Sequence, residues 1–211
     1  MQRLVTRFHL LLLTVTLAIS GVGAFRMPAD FVYLAHWSGS TADWLWPREV
    51  IFVAPVVQLL FMALFFLLGR LLTKNQFAKS QHILDPALSL LMTVVAATQL
   101  GLLLSGIGSD LDFVRLTAFA LGAALMLLGV VLFEAERHTY AGLRMPWPVR
   151  SDRAWRLVHR TTGIAYGIAG LSLLALAWFD MGLGLLILSC AAALFVPAAI
   201  AALATRLFDA R

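Results

Sequence analysis

Six stretches of this chain are each long enough to cross a lipid bilayer as a helix, and that feature removes most alternatives. An α-helix rises 1.5 Å per residue, so a hydrocarbon core about 30 Å thick needs about 20 residues. Runs of that order cover Phe8–Phe25, Val50–Leu72, Pro86–Ile107, Phe113–Phe133, Thr161–Phe179 and Leu183–Leu207. A peptide group in lipid finds no water partner, so each run is expected to be helical. The runs are continuous rather than alternating, which argues against a membrane β-barrel. Composition agrees, with 61% hydrophobic residues, 13% charged ones and a mean hydropathy of +0.89. Soluble domains carry about 45–50% and about 25%. The expected fold class is therefore all-α, a polytopic membrane protein of six transmembrane helices. Arg3, Arg7 and the Val22-Gly23-Ala24 triplet imitate a cleavable signal peptide. The five spans that follow favour a retained first helix.

Charge placement gives a direction. With the N-terminus inside, thirteen of the sixteen basic residues fall on the cytoplasmic side, and only Arg26, Arg48 and Arg115 fall outside. This positive-inside bias puts both termini in the cytoplasm of a bacterial inner membrane. Residues 26–49 become an external loop and residues 134–160 an internal one. Tight turns are expected near Gly108–Asp112 and Asp180–Gly182. The chain divides into residues 1–72 with the external loop, 73–133, and 134–211 with the internal loop, all one integral membrane unit. The net charge of +5 is accounted for by insertion and points to no direct nucleic-acid partner.

The span interiors are nearly free of ionisable groups, which argues against a proton pump or a carrier of charged substrates. Gln58 and Gln99 are the main intramembrane amides, and interhelical hydrogen bonding is their expected role. Pro55 and Pro197 are candidates for helix kinks. Gly163, Gly167 and Gly170, with the alanines of the sixth span, offer small faces for close packing or a homodimer. Cys190 lies in an apolar run and is read as packing.

The chemistry concentrates in the loops. In the internal one, Pro146 and Pro148 oppose helix, Gly142 permits a turn, and Ser151 followed by Asp152 looks like a helix N-terminus leading into the fifth span. On that helix Trp155 and His159, four apart, share a face. Glu134, Glu136, His138 and His159 contain ligand-type atoms, but the H-E-x-x-H pattern is absent. Pairing with Arg137, Arg144 or Arg160 is the expected role, so neither enzyme activity, metal nor cofactor is expected. The external loop holds Tyr33, Trp37, Trp44 and Trp46, which suit a membrane interface. It also holds His36, Asp30, Asp43 and Arg48. An Asp–His or Asp–Arg contact that holds the loop's shape is expected there.

The spacing of Gly142, Arg144, Pro146, Trp147, Ser151, Trp155, His159, Arg160 and Gly163 resembles the signature of the SdpI family, approximately G-[IL]-R-T-P-W-T-L-x-S-x-x-x-W-x-x-x-H-R. Met145 and Pro148 stand where that pattern has threonine, and the asparagine often found before the glycine is missing. The external loop resembles a domain that often precedes it, through Pro28, His36, Trp37, Asp43 and Arg48, with Ser38 in place of the usual asparagine. The resemblance implies a membrane immunity or signal-transduction protein. It implies a secreted toxin peptide as external partner and a cytoplasmic repressor as internal partner. The inner-loop residues would then form a partner surface and the outer-loop residues a peptide-sensing one, unless they serve structure alone. Two other classes compete. A small transporter or channel subunit predicts a polar path past Gln58 and Gln99. A membrane enzyme predicts a converged site of histidines and carboxylates.

Overall fold

The computed structural model describes residues 4–38, 41–135 and 151–209. Six helices, α1 (Arg7–Arg26), α2 (Val53–Leu71), α3 (Lys74–Gly106), α4 (Phe113–Phe133), α5 (Asp152–Phe179) and α6 (Leu183–Asp209), carry the six apolar runs. Each contains a stretch long and apolar enough to cross a membrane, and no more than 44% of any such stretch is buried inside the protein. The outward faces display leucine, valine and phenylalanine, as lipid requires. The protein is a multi-pass membrane protein.

Two features differ from the sequence expectation. The loop after α1 is a β-hairpin, β1 (Val32–Ser38) paired antiparallel with β2 (Thr41–Pro47), followed by a 3₁₀ turn at Arg48–Phe52. The third helix begins at Lys74 rather than near Pro86, and only residues 72 and 73 separate it from α2. Its first three turns are polar, so a hydropathy criterion passes over them although they favour helix. Phe77 anchors this extension by packing with Leu4, Phe65, Leu88 and Met92 in a buried apolar cluster.

The other boundaries follow local chemistry. At the end of α3, Gly108 adopts φ +76, a left-handed conformation that favours glycine. The Ser109 N–H then reaches Leu104 O at 2.9 Å and the Gly108 N–H reaches Ser105 O at 3.2 Å, closing a Schellman motif. The α5–α6 turn uses Asp180 at φ 52 and Gly182 at φ 96. Ser151 caps α5 as expected, its Oγ accepting from the Ala154 N–H at 3.1 Å, with Asp152 in the first turn.

The chain forms two compact units, residues 1–117 and 118–211. In the first, α1, α2 and α3 pack together beneath the hairpin, held by buried amides. Pro55 has no N–H to return to the carbonyl four residues back, that of Ile51. Gln99 supplies a donor, its Nε2 lying 2.7 Å from Ile51 O and 2.8 Å from Ser20 Oγ. Gln58 acts in the opposite sense, donating from α2 to Met92 O on α3 at 2.9 Å. These amides therefore bond helix to helix, as the sequence suggested.

In the second unit, α4 and α5 meet at glycines. A Cβ on Gly129 would come within 2.7 Å of Gly163 O, and one on Gly163 within 2.6 Å of Gly129 O. Backbone touches backbone there, which a larger side chain forbids.

Tyr33 ties the hairpin to the helices. It is 1% exposed, and its hydroxyl donates toward Leu102 O at 3.1 Å, with Met27 Sδ at 3.2 Å. Burial pushes its phenol up to about 12 from the usual 10.0. The fold therefore holds the Tyr33 proton more tightly than the unfolded chain does. The stabilisation is full below pH 10 and is lost as pH rises toward about 12. Tyr33→Phe is expected to cost about 1 kcal/mol near neutrality and to remove the part of the alkaline loss that belongs to Tyr33. Thermal melts in detergent across that range, wild type against variant, check both. Gly163→Val is expected to destabilise the protein by about 1–3 kcal/mol through overpacking. Unchanged melting would contradict the glycine contact.

Candidate functional site

The hairpin presents a built surface. Its two faces differ because side chains alternate along a strand. Tyr33 and Ala35 are buried on one face, while Val32, Leu34 and Leu45 on the other are between 45% and 50% exposed. Leu34 pairs with Leu45 and Val32 with Pro47, so one face carries adjacent apolar residues. An irregularity of register between Leu34 and Trp37 brings His36 opposite Trp44. Trp44 and Trp46 meet edge to face at 5.5 Å between ring centres.

The polar residues singled out in this loop brace it. His36 Nδ1 lies 2.6 Å from Asp43 Oδ1 across the two strands, the Asp–His contact expected from sequence. Arg48 donates from Nη1 to Met27 O at 3.1 Å, tying the end of the hairpin to the end of α1. Pro28 opens the turn into β1, its carbonyl accepting from the Phe31 N–H at 3.2 Å. Trp37 lies in β1 opposite Ala42. These residues were expected in a loop, and the strands that carry them were not. The signal available was the β-prone run Val32-Tyr33-Leu34 and the Ser-Gly-Ser segment at residues 38–40.

The internal motif is described in part. Gly142, Arg144, Pro146 and Trp147 lie outside the described residues. Ser151, Trp155, His159 and Arg160 sit together on the first turns of α5. Trp155 stacks on His159 with ring centres 4.0 Å apart and planes inclined by 24°. His159 is 1% exposed, and its Nδ1 lies 2.9 Å from Trp155 O. Given that carbonyl partner, Nδ1 carries the proton in this contact. Trp155 Nε1 is buried with no acceptor among the described residues. Arg160 is exposed and spreads its guanidinium over Phe133 of α4, 5.5 Å from the ring centre. His159 is thus an internal support, whereas Arg160 faces outward.

One buried group was overlooked. His9, at the start of α1, is fully buried against α3. Its Nδ1 accepts from the Thr6 N–H at 3.0 Å, which leaves Nε2 to donate to Ser89 Oγ at 3.0 Å in the neutral ring. Asp85 Oδ1 lies 3.9 Å from the same nitrogen. A histidine inside the otherwise apolar run Phe8–Leu13 was the signal that could have found it. Among the described residues no three histidine, cysteine or acidic side chains come together in a geometry for metal.

Residues 134–205 match the model of the SdpI/YfhL protein family. The chain is 25% identical over 145 residues to the Immunity protein SdpI of Bacillus subtilis (strain 168), covering 68% of each protein. Neither match is to an enzyme. No solved structure matches the chain. The match over residues 134–205 includes the internal motif and the α5–α6 pair. Over that region the chain is similar to the SdpI/YfhL family, and over a longer stretch it is distantly similar to the Bacillus immunity protein.

Proposed function

We propose that this chain is an immunity-type membrane receptor whose hairpin faces the outside and receives a secreted toxic peptide. The observation that carries the reading is the exposed face of Val32, Leu34 and Leu45, held on a support fixed by Tyr33, Arg48 and the His36–Asp43 contact. An apolar surface at a rigid, water-facing position suits an amphipathic peptide. The two-stranded sheet also offers unpaired strand edges to an extended chain. The outward direction rests on the thirteen-to-three distribution of basic residues.

In this reading Pro28, His36, Trp37, Asp43 and Arg48 hold the peptide-sensing loop in shape. On the cytoplasmic side, Gly142, Arg144, Pro146, Trp147, Ser151, Trp155 and Arg160 present a surface to a regulator, with His159 positioning Trp155. Homology to an immunity protein supports protection as the outcome. Gln58 and Gln99 donate to backbone and hydroxyl oxygens between helices. That role favours a packed receptor over a polar transport path.

Expression in a toxin-sensitive bacterium tests the proposal, with membrane abundance measured for each variant. Wild type is expected to raise the inhibitory concentration of the cognate peptide. Leu34→Lys with Leu45→Lys should lower that protection about tenfold or more, the loss of about 1.4 kcal/mol or more of binding. Full protection by the well-expressed hairpin variant would refute the assigned surface. Failure of abundant wild type to protect against a panel of secreted peptides would refute immunity itself.

A further inference from the structure

A buried titratable group joins α1 to α3 and has no part in the peptide surface. His9, in the first turn of α1, is 0% exposed. An ionisable side chain inside a membrane helix is costly to retain and by default marks a functional site. His9 stands three residues after Thr6, the position at which a capping box carries glutamate or glutamine. There its Nδ1 accepts from the Thr6 N–H at 3.0 Å, with the Thr6 hydroxyl oxygen 3.1 Å away. A ring nitrogen that accepts carries no proton, so this cap exists only with a neutral imidazole.

The opposite edge of the ring faces a carboxylate. Nε2 lies 3.0 Å from Ser89 Oγ and 3.9 Å from Asp85 Oδ1, one turn apart on α3. Asp85 Oδ1 is buried and receives no hydrogen bond among the described residues, although the side chain as a whole is 43% exposed. An acceptor without a donor is thus held beside a ring that takes up a proton more readily than any other neutral side chain. The other described charges near this end are Arg7 of α1, Arg70 of α2 and Lys74 of α3, and all three are exposed. Arg70 lies over the Phe66 ring. Asp85 is therefore the charge that acts on His9.

We infer that His9 is a proton-binding site, and that a proton on Nδ1 opens the α1 cap and pairs the imidazolium with Asp85. The proton reaches Nδ1 from water past Thr6, which is partly exposed. It displaces the Thr6 N–H and is donated to the Thr6 hydroxyl oxygen. Nε2 keeps its own proton, and the positive ring attracts Asp85 Oδ1. One hydrogen bond at the helix start is exchanged for a charge-assisted contact between α1 and α3. The change extends through Leu4, two residues before the cap, which packs with Phe65 of α2 and Phe77 of α3. That contact anchors the polar first turns of α3, so acidification loosens the anchor. This inference is independent of the immunity reading and holds with or without a bound peptide.

Amide hydrogen exchange of the full chain in detergent tests it, read as protection relative to an unstructured peptide at the same pH. In wild type the Thr6 amide is expected to lose protection about fivefold or more between pH 8 and pH 4.5, the worth of one cap. Amides beyond the second turn of α1 should keep theirs. His9→Gln retains an acceptor of the capping-box type without a titratable ring, so its Thr6 amide should be equally protected at both pH values. Asp85→Asn, at a partly exposed position, should keep more Thr6 protection at pH 4.5 than wild type does. The aspartate variant tests the inference even if His9→Gln fails to fold. Nitrogen NMR of labelled histidine reads the site directly, with His9 gaining a second ring proton over the same range. Wild-type Thr6 protection that does not change with pH would overturn the inference. So would an equal loss in His9→Gln, an undiminished loss in Asp85→Asn, a loss spread evenly along α1, or a His9 ring that stays singly protonated at pH 4.5.

Discussion

A peptide group inside a bilayer must find its hydrogen-bond partner within the protein, and the architecture follows from that requirement. Helices satisfy most of these groups internally, which accounts for the six spans. The exceptions occur where sequence breaks the helical ladder. Pro55 breaks it for Ile51, and the side chain of Gln99, reaching from α3, restores a donor. The Schellman motif at Gly108 closes the end of α3. Because Ile51 O receives bonds from both α1 and α3, the repair of one carbonyl also fixes three segments together.

The same packing turns a loop into a platform. Tyr33 and Met27 meet the last turns of α3, where Gly106 leaves room for the Met27 side chain. Arg48 joins the far end of the hairpin to the end of α1. With those contacts made on one face, the apolar residues of the other face stay turned away from the bundle. A flexible loop of equal composition would lose entropy on ordering around a ligand. A braced hairpin has incurred much of that loss on folding, so more of any peptide contact appears as affinity. At the start of α5, the Trp155–His159 stack similarly fixes the position of an aromatic side chain.

Much of this was legible in the sequence because its signals are local or large. Span length and continuous hydrophobicity identify helices without tertiary information, and Phe113–Phe133 has the same limits in both readings. Ser151 reads as a cap because its partner is three residues away. The His36–Asp43 contact was legible as a type of interaction, since His36 is the one histidine of that loop and Asp30 and Asp43 are its two aspartates. The hairpin was not, because Tyr33 is inward-facing only by virtue of Leu102, 69 residues distant. The polar first turns of α3 depend on Phe77 meeting Leu4 and Phe65. His9 was passed over because its partners on α3 lie about 80 residues away in sequence.

Membrane sidedness is the point on which the receptor account turns. The direct measurement is labelling by a membrane-impermeant maleimide in intact cells, with Leu45→Cys and Arg153→Cys made separately; the native Cys190 is buried. The account predicts that Leu45→Cys reacts in intact cells and that Arg153→Cys reacts only after permeabilisation. Reaction of Arg153→Cys in intact cells, with Leu45→Cys protected until the membrane is opened, would put the hairpin in the cytoplasm and contradict the account.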